Sequence, residues 1–279
     1  MSAFPRFRRA RPDSKALPAP ADGAMREDLD EEEGPGARMS FLEHLDELRR
    51  RIVAAAVAIG VGCVVSFAFI GRIYDFVMRP LAEMLPKGSK LIIVEPTEGF
   101  VLYLKIALLS GIILASPFVL WQVWLFVAPG LYARERRLVI PFVIFGTVGV
   151  VVGAAFSHYL LFPLTWRFLA SFSGEYTMFS PRIETTFGLY AKMMLGVAAV
   201  FQMPTAVYFL ARLGIVTARF LVRQFKYAVL IIFIVAAVIT PSGDPMTQTL
   251  FAVPMVVLYL ISIAVAWIFG KRRAADEAA

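Results

Sequence analysis

The chain has 279 residues, of which 59% are apolar and 18% are charged, and its formal net charge at pH 7 is +7. Soluble domains carry about a quarter charged residues, so this composition excludes an ordinary soluble domain. The basic residues lie between long apolar runs, so the positive charge indicates membrane topology and not nucleic-acid binding. The single cysteine, Cys63, excludes a disulfide framework and a cysteine-based metal site.

Residues 1–38 precede the first apolar run. They combine arginines, a Pro/Ala stretch and the acidic run from Asp28 to Glu33, with few large apolar side chains. Such a segment cannot bury enough apolar surface to fold, so we expect a disordered tail. Ser40 followed by Glu43 is typical of a capping box, which predicts that a helix begins here.

The helix that leads into the first span has an apolar face and a charged face. Helical spacing of the apolar residues predicts that their face packs on apolar neighbours. These residues are Phe41, Leu45, Leu48 and Ile52. The opposite face carries Glu47 and is predicted to face the cytoplasm. On the residues alone, Glu47 either forms an i,i+4 salt bridge with Arg51 or binds a ligand.

Six apolar segments approach the length of about 20 residues that a membrane-spanning helix needs. They lie at 52–70, 106–127, 138–166, 193–211, 227–240 and 245–270. The fifth would extend only about 21 Å as a helix, since the turn at Pro241 follows it. We therefore expect an all-α polytopic membrane protein with six transmembrane helices in residues 39–270. Its short fifth and sixth helices should form a hairpin.

The distribution of Lys and Arg predicts the orientation. The side that holds the N-terminal approach carries fourteen of them, and the opposite side carries eight. Both termini are therefore predicted to be cytoplasmic, with residues 271–279 as a short tail. The outer loops, 72–105 and 167–192, are predicted to cap a concave bundle. Pro80 is expected to end a helix within the first of these loops.

Two polar side chains interrupt the apolar spans. Gln202 stands two residues before Pro204, so it either satisfies backbone carbonyls freed by the proline or faces a partner helix or pocket. His158 lies in the third span and is expected to be a hydrogen-bonded interior residue or an interface anchor.

Several motifs occur in order at matching topological positions. They are His44-Leu45-Asp46-Glu47-Leu48-Arg49, Trp124 to Leu131 with Glu135-Arg136-Arg137, Phe162-Pro163-Leu164, and Thr240-Pro241 with Gln248-Thr249. From about Phe41 to Gly270 the chain resembles TatC, the receptor core of the twin-arginine translocase. Because several motifs agree, this resemblance is more specific than any single tripeptide.

The resemblance implies a multi-pass protein of the bacterial cytoplasmic (inner) membrane. Such a receptor binds twin-arginine signal peptides and exports folded proteins across the lipid bilayer, using the proton-motive force. It works with TatA- and TatB-type single-span subunits and with other copies of itself. No enzymatic activity, cofactor, metal or nucleic acid is implied.

The family's recognition carboxylates map onto Glu47 and Glu135. Carboxylates can bind planar guanidinium groups bidentately, whereas lysine offers a point charge, so two carboxylates favour Arg-Arg over Lys-Lys. On composition alone, Glu135 merely offsets the neighbouring arginines. Arg49 and Phe126 match family motifs and are further candidates for binding the signal peptide.

Three further residues are candidates for a partner site or an intramembrane polar site. The family commonly places a glutamate where this chain has Gln202, which cannot ionise. Asp244 follows a turn that is one residue longer than the common family pattern. Pro80 matches a family position in the first outer loop.

The main alternative function is a secondary transporter or channel for a small solute. Transporters often show inverted repeats with interrupted helices, and no such self-similarity is visible. A membrane enzyme is disfavoured, because no span holds paired carboxylates and no histidine spacing resembles a metal-binding motif.

Overall fold

The computed structural model describes residues 41–85, 89–127, 139–172, 180–240 and 244–270. The chain divides after His44 into two compact units, and the side-chain contacts below lie within the second, residues 45–279. The described residues are almost entirely helical, which confirms the all-α prediction. The helices are α1 (Phe41–Ala68), α2 (Ile70–Glu83), α3 (Glu98–Val127), α4 (Val139–Phe156), a π-helical turn (Ser157–Leu161), α5 (Phe162–Ala170), α6 (Ile183–Val200), α7 (Met203–Arg212), α8 (Ala218–Arg223), α9 (Phe225–Ile239) and α10 (Pro245–Phe269).

Five helical stretches in the described residues are long and apolar enough to cross a membrane. They are Glu43–Ala68, Glu98–Val127, Val139–Ala170, Ile183–Arg212 and Pro245–Phe269. A sixth apolar helix, α9, has 15 residues and extends about 22 Å, which confirms that the fifth span is short. The sixth span was predicted at 245–270 and as a short helix. Helix α10 closely matches these bounds, but with 25 residues it is not short. The helix continues through Pro254.

Helix α2 follows α1 almost directly and packs on the bundle through Val77, Met78 and Leu81. Pro80 lies inside α2, so the prediction that it ends a helix is wrong. A proline removes only one backbone donor, and near the end of a helix the loss falls on the carbonyl of Phe76 alone. Hence α2 continues to Glu83.

The predicted orientation of α1 is only partly right. Leu48 of the face predicted to pack is half-buried, but Leu45 and Ile52 of the same face are 43% and 58% exposed. Glu47, which was expected to face the cytoplasm, is half-buried. In a bilayer the lipid is as apolar as a protein core, so apolar side chains can face outward while polar ones contact a neighbouring helix.

The segments predicted to lie outside are joined by an ion-pair cluster. Arg182 donates from Nε to Glu98 Oε1 at 2.6 Å and from Nη2 to Glu95 Oε1 at 3.1 Å. The carboxylate of Glu98, 5% exposed, also accepts the backbone N–H groups of Val94 and Glu95. A β-bridge between Ile92 and Arg182 lies beside the cluster. The hydrogen bond to Glu98 raises the pKa of Arg182.

We expect Glu98→Gln to lower the unfolding temperature by several degrees. The amide nitrogen of glutamine cannot accept the hydrogen bonds that the replaced carboxylate oxygen accepts, and the charge opposite Arg182 is lost. Thermal unfolding in detergent checks this. Glu184→Gln is the control for an exposed ion pair, since Glu184 is 42% exposed, lies 3.5 Å from Arg182 and pairs with Lys105 at 2.8 Å. Equal effects of the two variants would contradict a special role for Glu98.

Candidate functional site

The backbones of α1 and α3 are in close contact at two glycines. A Cβ atom on Gly62 would lie 2.6 Å from the carbonyl oxygen of Gly111, and one on Gly111 would lie 2.5 Å from the backbone nitrogen of Cys63. Only glycine allows this approach, as at other close helix crossings in membranes. Arg51 lies 11 residues before Gly62, and Gln122 lies 11 residues after Gly111. The crossing therefore brings the first part of α1 and the last part of α3 to the same end of the bundle.

At this end a carboxylate, a guanidinium and an amide meet. Arg51 Nη2 donates to Glu47 Oε1 at 3.0 Å, which confirms the predicted i,i+4 salt bridge. Arg51 Nη1 lies 3.4 Å from Gln122 Oε1 on α3. The side chains of Glu47 and Arg51 are 16% and 27% exposed, and Gln122 is 8% exposed. The arrangement is a half-buried polar contact that already holds one guanidinium group.

The end of α3 is fixed by an aromatic cluster on its other face. The ring of Trp124 lies 5.1 Å from that of Phe142 on α4 and 5.2 Å from that of Phe209 on α7. Gln122 and Phe126 are four residues apart and so share the face opposite Trp124. Phe126 is half-buried there, one helical turn beyond Gln122.

The other predicted signal-peptide residues do not join this contact. Arg49 is exposed and lies two residues from both Glu47 and Arg51, so it points to a different side of α1. Glu135 lies outside the described residues. The structure therefore brings together Glu47, Arg51 and Gln122, of which the sequence named only the first as a candidate.

Gln202 lies at the break between α6 and α7. Its backbone N–H bonds to Ala199 instead of Ala198, and its side-chain Nε2 approaches the carbonyl of Ala198 at 3.5 Å. The same Nε2 donates to the carbonyl of Gly146 on α4 at 3.0 Å. Gln202 thus bonds to two backbone carbonyls, but neither belongs to Val200, whose i+4 donor Pro204 removes, so the role predicted for it beside Pro204 stays a prediction. It also borders a cavity of about 250 Å³ between α1, α3, α4 and α6, so a partner role stays a prediction.

Asp244 caps the start of α10. Its carboxylate accepts the backbone N–H of Thr247 at 2.7 Å and the hydroxyl of the same residue. One turn on, Gln248 Nε2 donates to the carbonyl of Phe233 on α9 at 2.8 Å. The Thr240 hydroxyl donates to the carbonyl of Ala236 within α9. Of these contacts, only the bond from Gln248 to Phe233 joins α9 to α10; the others stabilise the ends of the individual helices.

Pro80 borders a different cavity, of about 580 Å³, between α2 and the π-helical turn. His158 lines it as well; its Nδ1 lies 2.8 Å from the Tyr190 hydroxyl and its ring stacks on Phe76 at 4.3 Å. His158 is therefore a hydrogen-bonded interior residue, as predicted. Gln202, Asp244 and Pro80 contact different partners, so the described residues do not gather them into one site.

The family model described as "Sec-independent protein translocase protein (TatC)" matches residues 43–254. The chain belongs to the TatC family. Its relatives include the TatC proteins of Koribacter versatilis, 44% identical over 94% of this chain and 99% of the relative, and of Desulforapulum autotrophicum, 41% identical over 85% and 87%. Two crystal structures of the twin-arginine translocase receptor TatC are also similar to this chain. Their TM-scores are 0.70 and 0.72, and their sequences are 31% and 30% identical to this chain. Each match covers 80% of this chain and 98% or 99% of the other chain.

Membership places this TatC chain among the membrane components of the twin-arginine translocase, which work with other Tat subunits. TatC is a receptor component and not an enzyme, which confirms the prediction that the chain is not an enzyme. Within the described part of the chain, no cluster of His, Cys, Asp and Glu could hold a metal ion.

The sequence analysis did not identify Gln122 as a residue that contacts Arg51 beside Glu47. A signal was present, since Gln122 is a polar residue in an otherwise apolar run and stands four residues before Phe126. Arg51 was considered only as the partner of a surface salt bridge. The sequence could not show that a side chain of α3 would contact Arg51 and help to bury that salt bridge.

Proposed function

We propose that this TatC chain is the core receptor of the twin-arginine export system. It binds twin-arginine signal peptides at its cytoplasmic face and nucleates a translocase that moves folded proteins across the bacterial inner membrane with the proton-motive force. Glu47 and Glu135 receive the two arginines, and Arg49 and Phe126 contact the peptide nearby.

The observation that carries this proposal is the guanidinium group bound at Glu47. The carboxylate lies 3.0 Å from a guanidinium nitrogen of Arg51, and the amide oxygen of Gln122 lies 3.4 Å from another. An environment that holds an arginine of the chain itself has the right charge and hydrogen-bond acceptors for an arginine of a peptide. Phe126, one turn beyond Gln122, offers apolar surface for the residues that follow the twin arginines.

Single-span TatA- and TatB-type partners are proposed to pack beside the α9–α10 hairpin. Helix α9 is shorter than the roughly 30 Å hydrocarbon layer and buries only Ile232 and Ala236. Its remaining apolar residues, including Val238 at 79% exposure, are available to lipid or to a partner helix. Gln202, Asp244 and Pro80 are the polar and turn residues proposed to adjoin such partners.

Orientation and domain limits also belong to the proposal. The excess of Lys and Arg on the side of the N-terminal helix supports cytoplasmic termini. In this arrangement residues 1–38 form a tail, residues 39–270 form the membrane domain, and residues 271–279 end in the cytoplasm. Other copies of the chain and the bilayer complete the assembly.

Photocrosslinking tests the receptor assignment. A photoreactive amino acid at position 48 or 126 leaves both carboxylates in place, and it should crosslink a twin-arginine signal peptide several-fold more than its twin-lysine counterpart. Position 219, exposed on α8, is the control and should crosslink weakly to both peptides. Equal crosslinking of the two peptides at positions 48 and 126 would contradict the proposal. Solute flux through the chain alone in liposomes would favour the transporter alternative.

A further inference from the structure

The pair formed by Glu47 and Arg51 uses only part of its hydrogen-bonding capacity. Arg51 reaches one carboxylate oxygen, Oε1, while Glu47 Oε2 is buried and has no hydrogen-bond partner among the described residues. The Nε of Arg51 is likewise buried without a partner. A well-matched arginine–carboxylate pair makes two parallel hydrogen bonds. The contact between Arg51 and Glu47 makes only one hydrogen bond.

Such a contact is poorly suited to a purely stabilising role. A carboxylate oxygen that is buried without a partner opposes folding, because it has lost its hydrogen bonds to water. Arg51 is also divided between two acceptors on different helices, Glu47 on α1 and Gln122 on α3. If Arg51 moved away from Glu47, the amide of Gln122 could keep one of its hydrogen bonds.

We propose that Arg51 is a resident counter-ion that occupies Glu47 until an arginine of the signal peptide takes its place. The inference rests on the proposed function, in which Glu47 receives a peptide arginine. In the free receptor Arg51 neutralises the carboxylate through a single hydrogen bond. In the complex the incoming guanidinium binds both oxygens of Glu47, and Arg51 shifts toward Gln122.

This exchange makes Arg51 a residue that sets the affinity of the site. Any incoming cation must first displace the guanidinium of Arg51, so the resident group weakens the binding of every basic peptide by one common factor. The preference for arginine over lysine comes from Glu47 itself, because an arginine gains the bond to the unused oxygen Oε2 and a compact ammonium cannot form the parallel pair. Arg51 therefore lowers the affinity for both kinds of peptide and leaves their ratio unchanged.

The test measures the affinity of the full-length protein, in detergent or nanodiscs, for a twin-arginine signal peptide and its twin-lysine counterpart. Arg51→Met keeps an unbranched stem and removes the guanidinium. We expect it to tighten binding of both peptides at least fivefold and by one common factor, because both no longer displace a guanidinium. Arg50→Met is the matched control. It removes the same charge from an exposed neighbour that makes no described contact with Glu47, and it should tighten binding of either peptide less than twofold.

Two further variants separate the possible outcomes. If Arg51→Met fails to fold, Arg51→Lys carries the test, because a resident cation that binds Glu47 less well should also tighten binding of both peptides. Glu47→Gln tests the proposed function on which the inference rests. If Glu47→Gln binds like the wild type, the assignment of Glu47 fails. If Glu47→Gln loses binding but the variant at position 51 tightens binding no more than Arg50→Met does, or weakens it, the resident counter-ion is refuted while the receptor function stands.

Discussion

Glu47→Gln is expected to weaken binding of a twin-arginine peptide by about tenfold to a hundredfold. A charge-assisted hydrogen bond contributes about 1.5 to 3 kcal/mol, and each 1.4 kcal/mol corresponds to a factor of ten in affinity. Glutamine has nearly the same shape and keeps one carbonyl oxygen for Arg51, so the fold around α1 should persist. The loss should therefore appear in the dissociation constant and not in the unfolding temperature.

The matched control for this prediction is Asp46→Asn. Asp46 is exposed and adjacent in sequence, but it lies on another side of α1. The variant removes the same charge, so any general electrostatic attraction of a basic peptide falls equally in both variants. If Asp46→Asn and Glu47→Gln weaken binding equally, the peptide responds to the charge of the whole surface and not to a specific carboxylate. A larger loss with Glu135→Gln than with Asp46→Asn would extend the assignment to the first cytoplasmic loop.

Features that depend on the length of a segment or on the spacing of residues within it could be predicted from the sequence. Apolar segments were evident because a bilayer needs long apolar helices. The short fifth helix followed from the turn at Pro241, and the contact of Glu47 with Arg51 followed from i,i+4 spacing. Each of these involves residues within one helix or one turn.

Features that depend on the packing of distant segments could not be predicted. Gln122 reaches Arg51 across 71 residues of sequence. The exposure of Leu45 was not predicted. Apolar periodicity identifies the apolar face of a helix, but it does not show whether that face contacts protein or lipid. For Pro80, local propensity favoured a helix end, but the buried contacts of Leu81 in the next position keep α2 intact.

The candidate site depends on the close contact of α1 and α3 at Gly62 and Gly111. Alanine substitutions at these two positions should lower the free energy of unfolding, whereas Gly→Ala inside a helix usually raises it. Gly→Ala inside a helix ordinarily stabilises by about 0.5 to 1 kcal/mol, because alanine loses less backbone entropy on folding. At Gly62 or Gly111 the added methyl group would meet backbone atoms at 2.6 or 2.5 Å, which cannot rotate away. We expect both substitutions to destabilise the protein by about 1 to 3 kcal/mol, as overpacking does.

Gly60→Ala and Gly188→Ala are matched controls, since a Cβ at either position would have no atom within 4 Å. These variants should leave the unfolding temperature unchanged or raise it, whereas Gly62→Ala and Gly111→Ala should lower it. The latter pair should also weaken twin-arginine peptide binding, because separating α1 from α3 moves Glu47 away from Gln122. If all four variants shift the unfolding temperature in the same direction, the close crossing does not hold α1 in place. If the crossing variants are destabilised but bind peptide normally, the position of α3 is not needed for recognition at Glu47.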